Sequence, residues 1–232
     1  MNSILNIRSR EPINLTIMAV TVLFASIVCS HASLITFDFT GTVFQVDAPL
    51  AGSFSIGNTI SGSYIFDSSV ADQIPGDPTA SFYTSSTPYS VTAGGFSSSG
   101  TGVNFNVFNE LVIGSFFRDQ YRAVLGTSGP SVNGYSYNGF SLDLFTTSAM
   151  SPTSSPITSD ALLTTPLPID SFDHNQLRFY FISPTGDVNY VIGSLSSLTV
   201  DSVPEPSSTL LLISGAAFFL WNLSSRRHGR YA

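Results

Sequence analysis

The sequence predicts an all-β protein with a single β-sandwich or jelly-roll-like domain. Between residues 33 and 202, β-branched and aromatic residues alternate with small polar ones, and Gly, Pro, Asn and Asp separate the runs. No segment there keeps apolar residues at a helical period over three turns. About ten runs follow one another closely, a pattern typical of sandwiches and jelly rolls. No internal repeat is visible, which argues against a β-solenoid.

Each predicted strand is a run of this alternation. The strands are 34–44, 53–58, 59–67, 89–93, 103–108, 111–116, 121–125, 137–145, 177–182, 188–192 and 195–200. Gly41 marks a candidate bulge in the first strand, and Gly57-Asn58 is a tight-turn signal. Residues 68–81 form a predicted loop. The Ser-, Thr- and Pro-rich stretch 148–168 predicts a second, longer loop with one short helical turn at 159–163.

The N-terminus has the pattern of a secretory signal peptide. Arg8 and Arg10 precede an apolar stretch at 15–28, and small residues follow it. This predicts a signal helix within residues 1–32 and cleavage by signal peptidase between Ala32 and Ser33. Cys29 raises the alternative of a lipoprotein signal, but the residue before it is the large Val28.

The C-terminus combines three features in a fixed order. Val203-Pro204-Glu205-Pro206 comes first, an uncharged apolar run of 17 residues at 207–223 follows, and the tail 224–232 carries Arg226, Arg227 and Arg230. A helix of that length covers roughly 25 Å, the short end of what spans a bilayer. We therefore predict a transmembrane helix at 207–223, with the arginines as a cytoplasmic stop. A buried core helix is the alternative, although the prolines prevent a helix from continuing upstream.

This order of features resembles the PEP-CTERM sorting signal of Gram-negative bacterial proteins. The resemblance covers about residues 203–230. It implies recognition by an exosortase, with processing near Pro204, Glu205 and Pro206, and it implies display at the cell surface or in an extracellular polysaccharide matrix. The exported part around 57–67 and 172–177 also resembles uncharacterised members of this group, which implies a shared β domain and no known activity.

Composition limits the partners of the exported domain, residues 33–202. It contains three arginines, no lysine and thirteen acidic residues. Such a surface repels phosphate backbones, so we expect no nucleic-acid partner. The single cysteine lies in the signal segment, and the domain therefore has no internal disulfide and no thiol nucleophile. We expect no cofactor.

Candidate catalytic groups are few. His174 is the one histidine of the exported domain, and no GxSxG motif accompanies it, so a solvated turn histidine is the favoured interpretation. Glu110 and Asp119 are candidates for a glycosidase carboxylate pair, and surface acids are the alternative.

Two binding functions are also open. Asp67, Asp72 and Asp77 recur in one loop as calcium candidates, although turn formation is the favoured interpretation. Tyrosines at 83, 89, 135 and 137 are candidates for sugar stacking, although core packing is favoured.

We therefore expect a non-enzymatic exported protein that is anchored in the membrane before processing and is then delivered to the cell surface or extracellular matrix. Its expected partners are signal peptidase, an exosortase and, transiently, the membrane. The alternatives are a carbohydrate-binding module linked to exopolysaccharide, a secreted hydrolase and a permanently anchored protein.

Overall fold

Alternating apolar residues place one face of each strand inside a closed barrel. The computed structural model describes residues 34–149 and 157–202, which form eight antiparallel strands in sequence order, each hydrogen-bonded to the next. The strands are β1 (Leu34–Val46), β2 (Thr59–Asp67), β3 (Ala80–Ala93), β4 (Phe96–Ile113), β5 (Phe116–Leu125), β6 (Ser136–Ser148), β7 (His174–Ile182) and β8 (Val188–Ser202). Two short 3-10 helices, Ala48–Leu50 and Ile169–Ser171, complete the regular structure of the described residues.

The predicted β-sandwich or jelly roll is wrong. Strand β1 pairs with β8 from Ile35↔Ser202 to Val46↔Val191, which closes the sheet on itself. Alternation could not reveal this, because sandwiches and barrels both bury one face of every strand. What separates them is whether the first and last strands pair, and that pairing joins residues far apart in the sequence.

The number of strands was also overestimated. The predicted runs 188–192 and 195–200 belong to the single strand β8. The run 103–108 belongs to β4, and the run 111–116 is divided, with 111–113 in β4, 114–115 in a turn and 116 at the start of β5. β4 continues through a register shift between Phe108 and Leu111. The predicted bulge at Gly41 is confirmed by the register shift between Thr40 and Gly41 on the β8 side. No strand covers 53–58, which belongs to the β1–β2 connection, and the short helical turn lies at Ile169–Ser171, not at 159–163.

The two ends of the barrel carry different loops. At one end, here called the terminal end, β1 begins and β8 finishes, as the pair Ile35↔Ser202 shows. The connections β2–β3, β4–β5 and β6–β7 also lie there, because the strands run alternately up and down. The opposite end, here called the distal end, holds the connections β1–β2, β3–β4, β5–β6 and β7–β8.

Both ends are closed by apolar side chains of loops. Leu50 and Phe54 of the β1–β2 connection are buried at the distal end, where the Phe54 ring contacts those of Phe96 and Phe181. At the terminal end, Ile157 and Phe172 of the β6–β7 connection are buried in the same core. The described barrel is therefore a packed core with plugged ends.

The predicted helices at the chain ends have no counterpart in this barrel. The signal segment 1–32 and the sorting segment 203–232, including the predicted transmembrane helix at 207–223, lie outside the described residues. Among residues 34–149 and 157–202, no helix is both long enough and apolar enough to cross a membrane.

Candidate functional site

Aromatic side chains fill the barrel interior. Phe140 packs between Phe39 and Phe179, with ring centroids 5.3 and 4.8 Å away. The Tyr64 and Tyr121 hydroxyls meet across the interior at 3.0 Å, and both residues are buried. An eight-stranded barrel is just wide enough for its own side chains or one small ligand, and here side chains take the space. The candidate site is therefore on the outer surface.

Three neighbouring strands share a polar and aromatic outer face, here called the arginine face. Its members are Arg118, Gln120 and Arg122 on β5, Ser141, Asp143 and Phe145 on β6, and His174, Gln176, Arg178 and Tyr180 on β7. They alternate with buried core residues such as Tyr121, Leu142 and Phe179, which places them on the outside. The face contains all three arginines of the described barrel, and that part of the chain has no lysine.

Strand register brings these side chains into rows. Arg122 lies opposite Asp143, and Asp143 lies opposite Gln176 on β7. In an antiparallel sheet, directly opposite side chains on one face lie about 5 Å apart, so each row is a contact set. The cluster therefore depends on the pairing of β5, β6 and β7, not on proximity in the sequence.

Asp143 is the centre of this face. It is only 2% exposed although it points away from the core. Gln120 Nε2 donates to its Oδ1 at 3.0 Å, and Ser141 Oγ donates to its Oδ2 at 2.7 Å. Arg122 Nε lies 3.1 Å from Oδ1 in an ion pair, although its N–H is not aligned for a hydrogen bond. A buried carboxylate is tolerated where charge and hydrogen bonds compensate it, as they do here.

The Tyr180 hydroxyl connects Arg122 to Ser141 by hydrogen bonds. Arg122 donates to the Tyr180 hydroxyl at 3.0 Å, and the Ser141 and Tyr180 hydroxyl oxygens are 2.9 Å apart. Ser141 has one hydroxyl hydrogen, which points at Asp143, so Tyr180 must donate to Ser141. The chain of donors runs from Arg122 through Tyr180 and Ser141 to Asp143, and it holds the Tyr180 ring in one orientation.

An aromatic arm extends the face towards the terminal end. The guanidinium carbon of Arg118 lies 4.2 Å from the Phe145 ring centroid, and His174 stacks on the same ring at 4.2 Å. Desolvation lowers the pKa of Arg118, and the nearby Asp143 charge opposes that shift. Arg178 is oriented by the amide oxygen of Gln176, 3.0 Å from its Nε. The three guanidinium groups are thus held in place by neighbours.

The charge of this face is opposite to that of the rest of the barrel. Asp143 offsets one of the three arginine charges, which leaves an excess of positive charge on an otherwise acidic domain. Beside it, the Tyr180 ring meets Tyr190 of β8 edge to face at 5.5 Å. Guanidinium groups bind carboxylates and other oxyanions through paired hydrogen bonds, and half-exposed tyrosine rings stack on sugars. The face is suited to an acidic ligand.

The fold brings the predicted carboxylate pair, Glu110 and Asp119, close together, but at a bulge where Asp119 supports the backbone. Glu110 has a φ of +59° at the β4 bulge, and its backbone N–H donates to Asp119 Oδ1 at 2.7 Å. Asp119 is fully buried and its Oδ2 has no hydrogen-bond partner. Desolvation raises the pKa of Asp119, opposed by the Glu110 amide. A carboxylate inaccessible to solvent cannot reach a polysaccharide, so Asp119 stabilises the bulge.

The weak calcium candidates lie in one loop at the terminal end. Asp67 accepts hydrogen bonds from Ser69 and Asp77 from Thr79, and these bonds lower the pKa of both carboxyls. Asp72 accepts from the amides of Ile74 and Phe82. Across the barrel as described, no group of three ligand-type side chains converges. Each carboxylate orders its own turn.

The other predicted site residues divide into two sets. Tyr83, Tyr89 and Tyr137 are buried, which confirms the favoured interpretation of these three as core residues, and the partly buried Tyr135 packs against the core. Tyr180 and Tyr190 lie on the outer wall. The processing and sorting residues lie outside the described residues; they are Ala32, Ser33, Val203, Pro204, Glu205, Pro206, Arg226, Arg227 and Arg230.

The arginine face was not among the predicted sites. Its signal was the even spacing of polar residues, as in Arg118, Gln120 and Arg122, which places them on one side of a strand. The face itself needs the register of three strands. The chain matches no family model, and comparisons with curated proteins and with solved structures found no match.

Proposed function

We propose that this protein is a non-enzymatic, exported barrel that binds a carboxylate-bearing polysaccharide through its arginine face. One observation carries the proposal: all three cations of an acidic barrel converge on one outer face around a buried aspartate. An exported protein with this pattern suits the acidic polymers that surround cells.

The spacing of the face favours a polymer over a small anion. Arg122 and Arg178 lie two strands apart, which corresponds to roughly 10 Å between their backbones. A polyuronate carries carboxylates on successive sugars and can meet both groups at once. The Tyr180 ring, whose hydroxyl accepts a hydrogen bond from Arg122, lies on the same face and offers a surface for a sugar ring.

An acidic peptide is a weaker candidate. Peptides commonly bind sheets by adding a strand to a free edge, and the strands of the arginine face, β5, β6 and β7, are each hydrogen-bonded to a neighbour on both sides. Recognition therefore has to use side chains on a closed, strand-covered wall, which suits a stacked sugar chain.

The binding test uses the full chain and soluble polymers. Titration with polygalacturonate should give binding that weakens as salt rises, whereas neutral dextran should not bind. Arg178→Gln should weaken binding at least tenfold, and Arg178→Lys should retain part of it because the charge remains. An unchanged thermal midpoint would show that the fold is intact in both variants.

Three outcomes would contradict the proposal. Equal binding of dextran would show that the arginine charges do not determine recognition. No binding at millimolar concentrations of uronate units would exclude an acidic polysaccharide as the ligand. Tighter binding of polyglutamate than of polygalacturonate would replace the sugar chain with an acidic peptide as the partner.

We also propose that the chain is delivered by an exosortase pathway through residues 203–232. The support is the sequence order of Pro204-Glu205-Pro206, the apolar run 207–223 and the arginine tail. In this proposal, signal peptidase removes residues 1–32, the apolar run holds the precursor at the membrane, and processing releases the barrel to the surface or matrix.

Expression with and without the partner exosortase tests delivery. With the exosortase, intact-mass measurement should find a mature C-terminus near Glu205, and substitution of Pro204 and Pro206 by alanine should prevent that processing. The same mass and the same location in both strains would refute it. This test is independent of polymer binding, so either half of the proposal can fail alone.

A further inference from the structure

The hairpin between β4 and β5 extends beyond the neighbouring strand β3. The last β3–β4 pair is Ala80↔Phe108, whereas β4 continues to Ile113 and pairs there only with β5. Residues 111–117 are here called the hairpin tip. Gly114 has a φ of +63°, which suits the first position of its two-residue turn.

The hairpin tip is apolar and exposed. Val112 is 63% exposed, Ile113 44% and Phe116 52%, and Ile113 lies opposite Phe116 across the hairpin. Five of its seven residues are apolar and none is charged; the sequence is Leu-Val-Ile-Gly-Ser-Phe-Phe. Large side chains exposed together at the end of a hairpin that reaches beyond β3 mark an interaction surface.

The position of the tip on the barrel indicates the partner. The β4–β5 connection lies at the terminal end, where β8 finishes at Ser202. The uncharged run 207–223 begins five residues later, a distance of at most about 17 Å along an extended chain. If this run holds the precursor at a bilayer, the terminal end of the barrel faces that bilayer.

We propose that the hairpin tip inserts its apolar side chains into the lipid surface from which the protein is displayed. This inference rests on the proposed delivery by the C-terminal segment. The tip lies across the barrel from β8, so tail and tip would give two separated contacts and fix the orientation of the barrel. The distal end would then point away from the lipid.

The chemistry favours a zwitterionic lipid surface. Asp67, Asp72 and Asp77 belong to the β2–β3 connection or its border at the same end, and they would oppose approach to an anionic membrane. Insertion therefore depends on the apolar side chains. A paired contact between two copies is disfavoured, because the exposed side chains occupy both faces of a thin hairpin.

The test places a fluorescent probe on the full chain with Cys29→Ala, bound to phosphatidylcholine vesicles that contain a spin-labelled lipid quencher. Ile113→Cys, labelled with an environment-sensitive dye, should shift to the blue and be quenched at least threefold. Ile56→Cys is the matched control, since Ile56 is 72% exposed at the distal end. Its dye should stay in water.

Vesicle co-sedimentation separates this inference from the delivery proposal. Leu212→Asp with Phe219→Asp should abolish co-sedimentation if the tail attaches the chain. Ile113→Ser with Phe116→Ser should leave co-sedimentation intact. Loss of the second lipid contact should, however, let the barrel move relative to the membrane, which is measured as faster protease cleavage near residues 203–206. Co-sedimentation with an aqueous probe at 113 would overturn the hairpin inference alone. No co-sedimentation of the parent chain would overturn both.

Discussion

Removal of either hydroxyl from the Tyr64–Tyr121 pair should destabilise the barrel, and removal of both should not. Tyr64 of β2 and Tyr121 of β5 are 0% and 1% exposed, and their oxygens are 3.0 Å apart. Tyr64→Phe leaves the Tyr121 hydroxyl buried without its partner, which costs about 1–3 kcal/mol. Tyr121→Phe should cost a similar amount for the same reason. The double variant leaves no polar group behind, so we expect it within about 1 kcal/mol of the parent.

Urea unfolding followed by far-ultraviolet circular dichroism measures these free energies. For a domain of this size, 1 kcal/mol corresponds to roughly 2–4 °C in the thermal midpoint, so each single variant should melt several degrees lower. The difference between the double variant and the sum of the singles gives the coupling energy. If the losses in free energy of unfolding of the two single variants add in the double variant, the two hydroxyls do not stabilise the barrel through their mutual hydrogen bond.

Three further predictions concern packing, pH and the arginine face. A methyl group at Gly62 would lie 2.3 Å from a β3 carbonyl oxygen, so Gly62→Ala should cost about 1–3 kcal/mol in urea unfolding, whereas Gly76→Ala, in open space, should cost nothing measurable. Burial raises the pKa of Asp119, so this carboxyl binds its proton more tightly in the folded than in the unfolded chain, and its contribution to stability falls as pH rises above about 3.8. The free energy of unfolding of Asp119→Asn, minus that of the parent, should therefore increase from acid to neutral pH. A difference that does not change with pH would contradict this. Arg122→Leu should cost about 2 kcal/mol because buried Asp143 loses its ion pair, and adding Asp143→Leu should recover most of it; no recovery would mean that the arginine acts through packing alone.

Part of the fold was predictable because it depends on local patterns. The alternation of Phe37 and Phe39 with polar neighbours predicts a strand with one buried face, and both rings are indeed buried. Gly41 predicted the bulge because a close backbone approach excludes a side chain there. A Cβ at Gly41 would lie 2.3 Å from the Ser194 carbonyl oxygen.

The candidate site was not predictable, because its residues come from three strands. Arg118 and Arg122 are two of the three arginines of the domain, but their nearest acid in the sequence is Asp119, which is buried in the core. The acid that Arg122 meets is Asp143, on the neighbouring strand. Neighbours along a strand point to opposite faces, so sequence proximity was misleading here.

The all-β class, the buried face of most strands and the acidic character of the domain could be predicted from the amino-acid sequence alone. These follow from the side-chain period of a strand and from charge, which are properties of short segments. Closure of the sheet, the filling of its interior by aromatic rings and the grouping of three arginines on the face that holds Asp143 became visible only in the folded barrel. Closure and register depend on hydrogen bonds between residues far apart in the chain, such as Ile35 and Ser202, and no local pattern encodes which distant strand will be the partner.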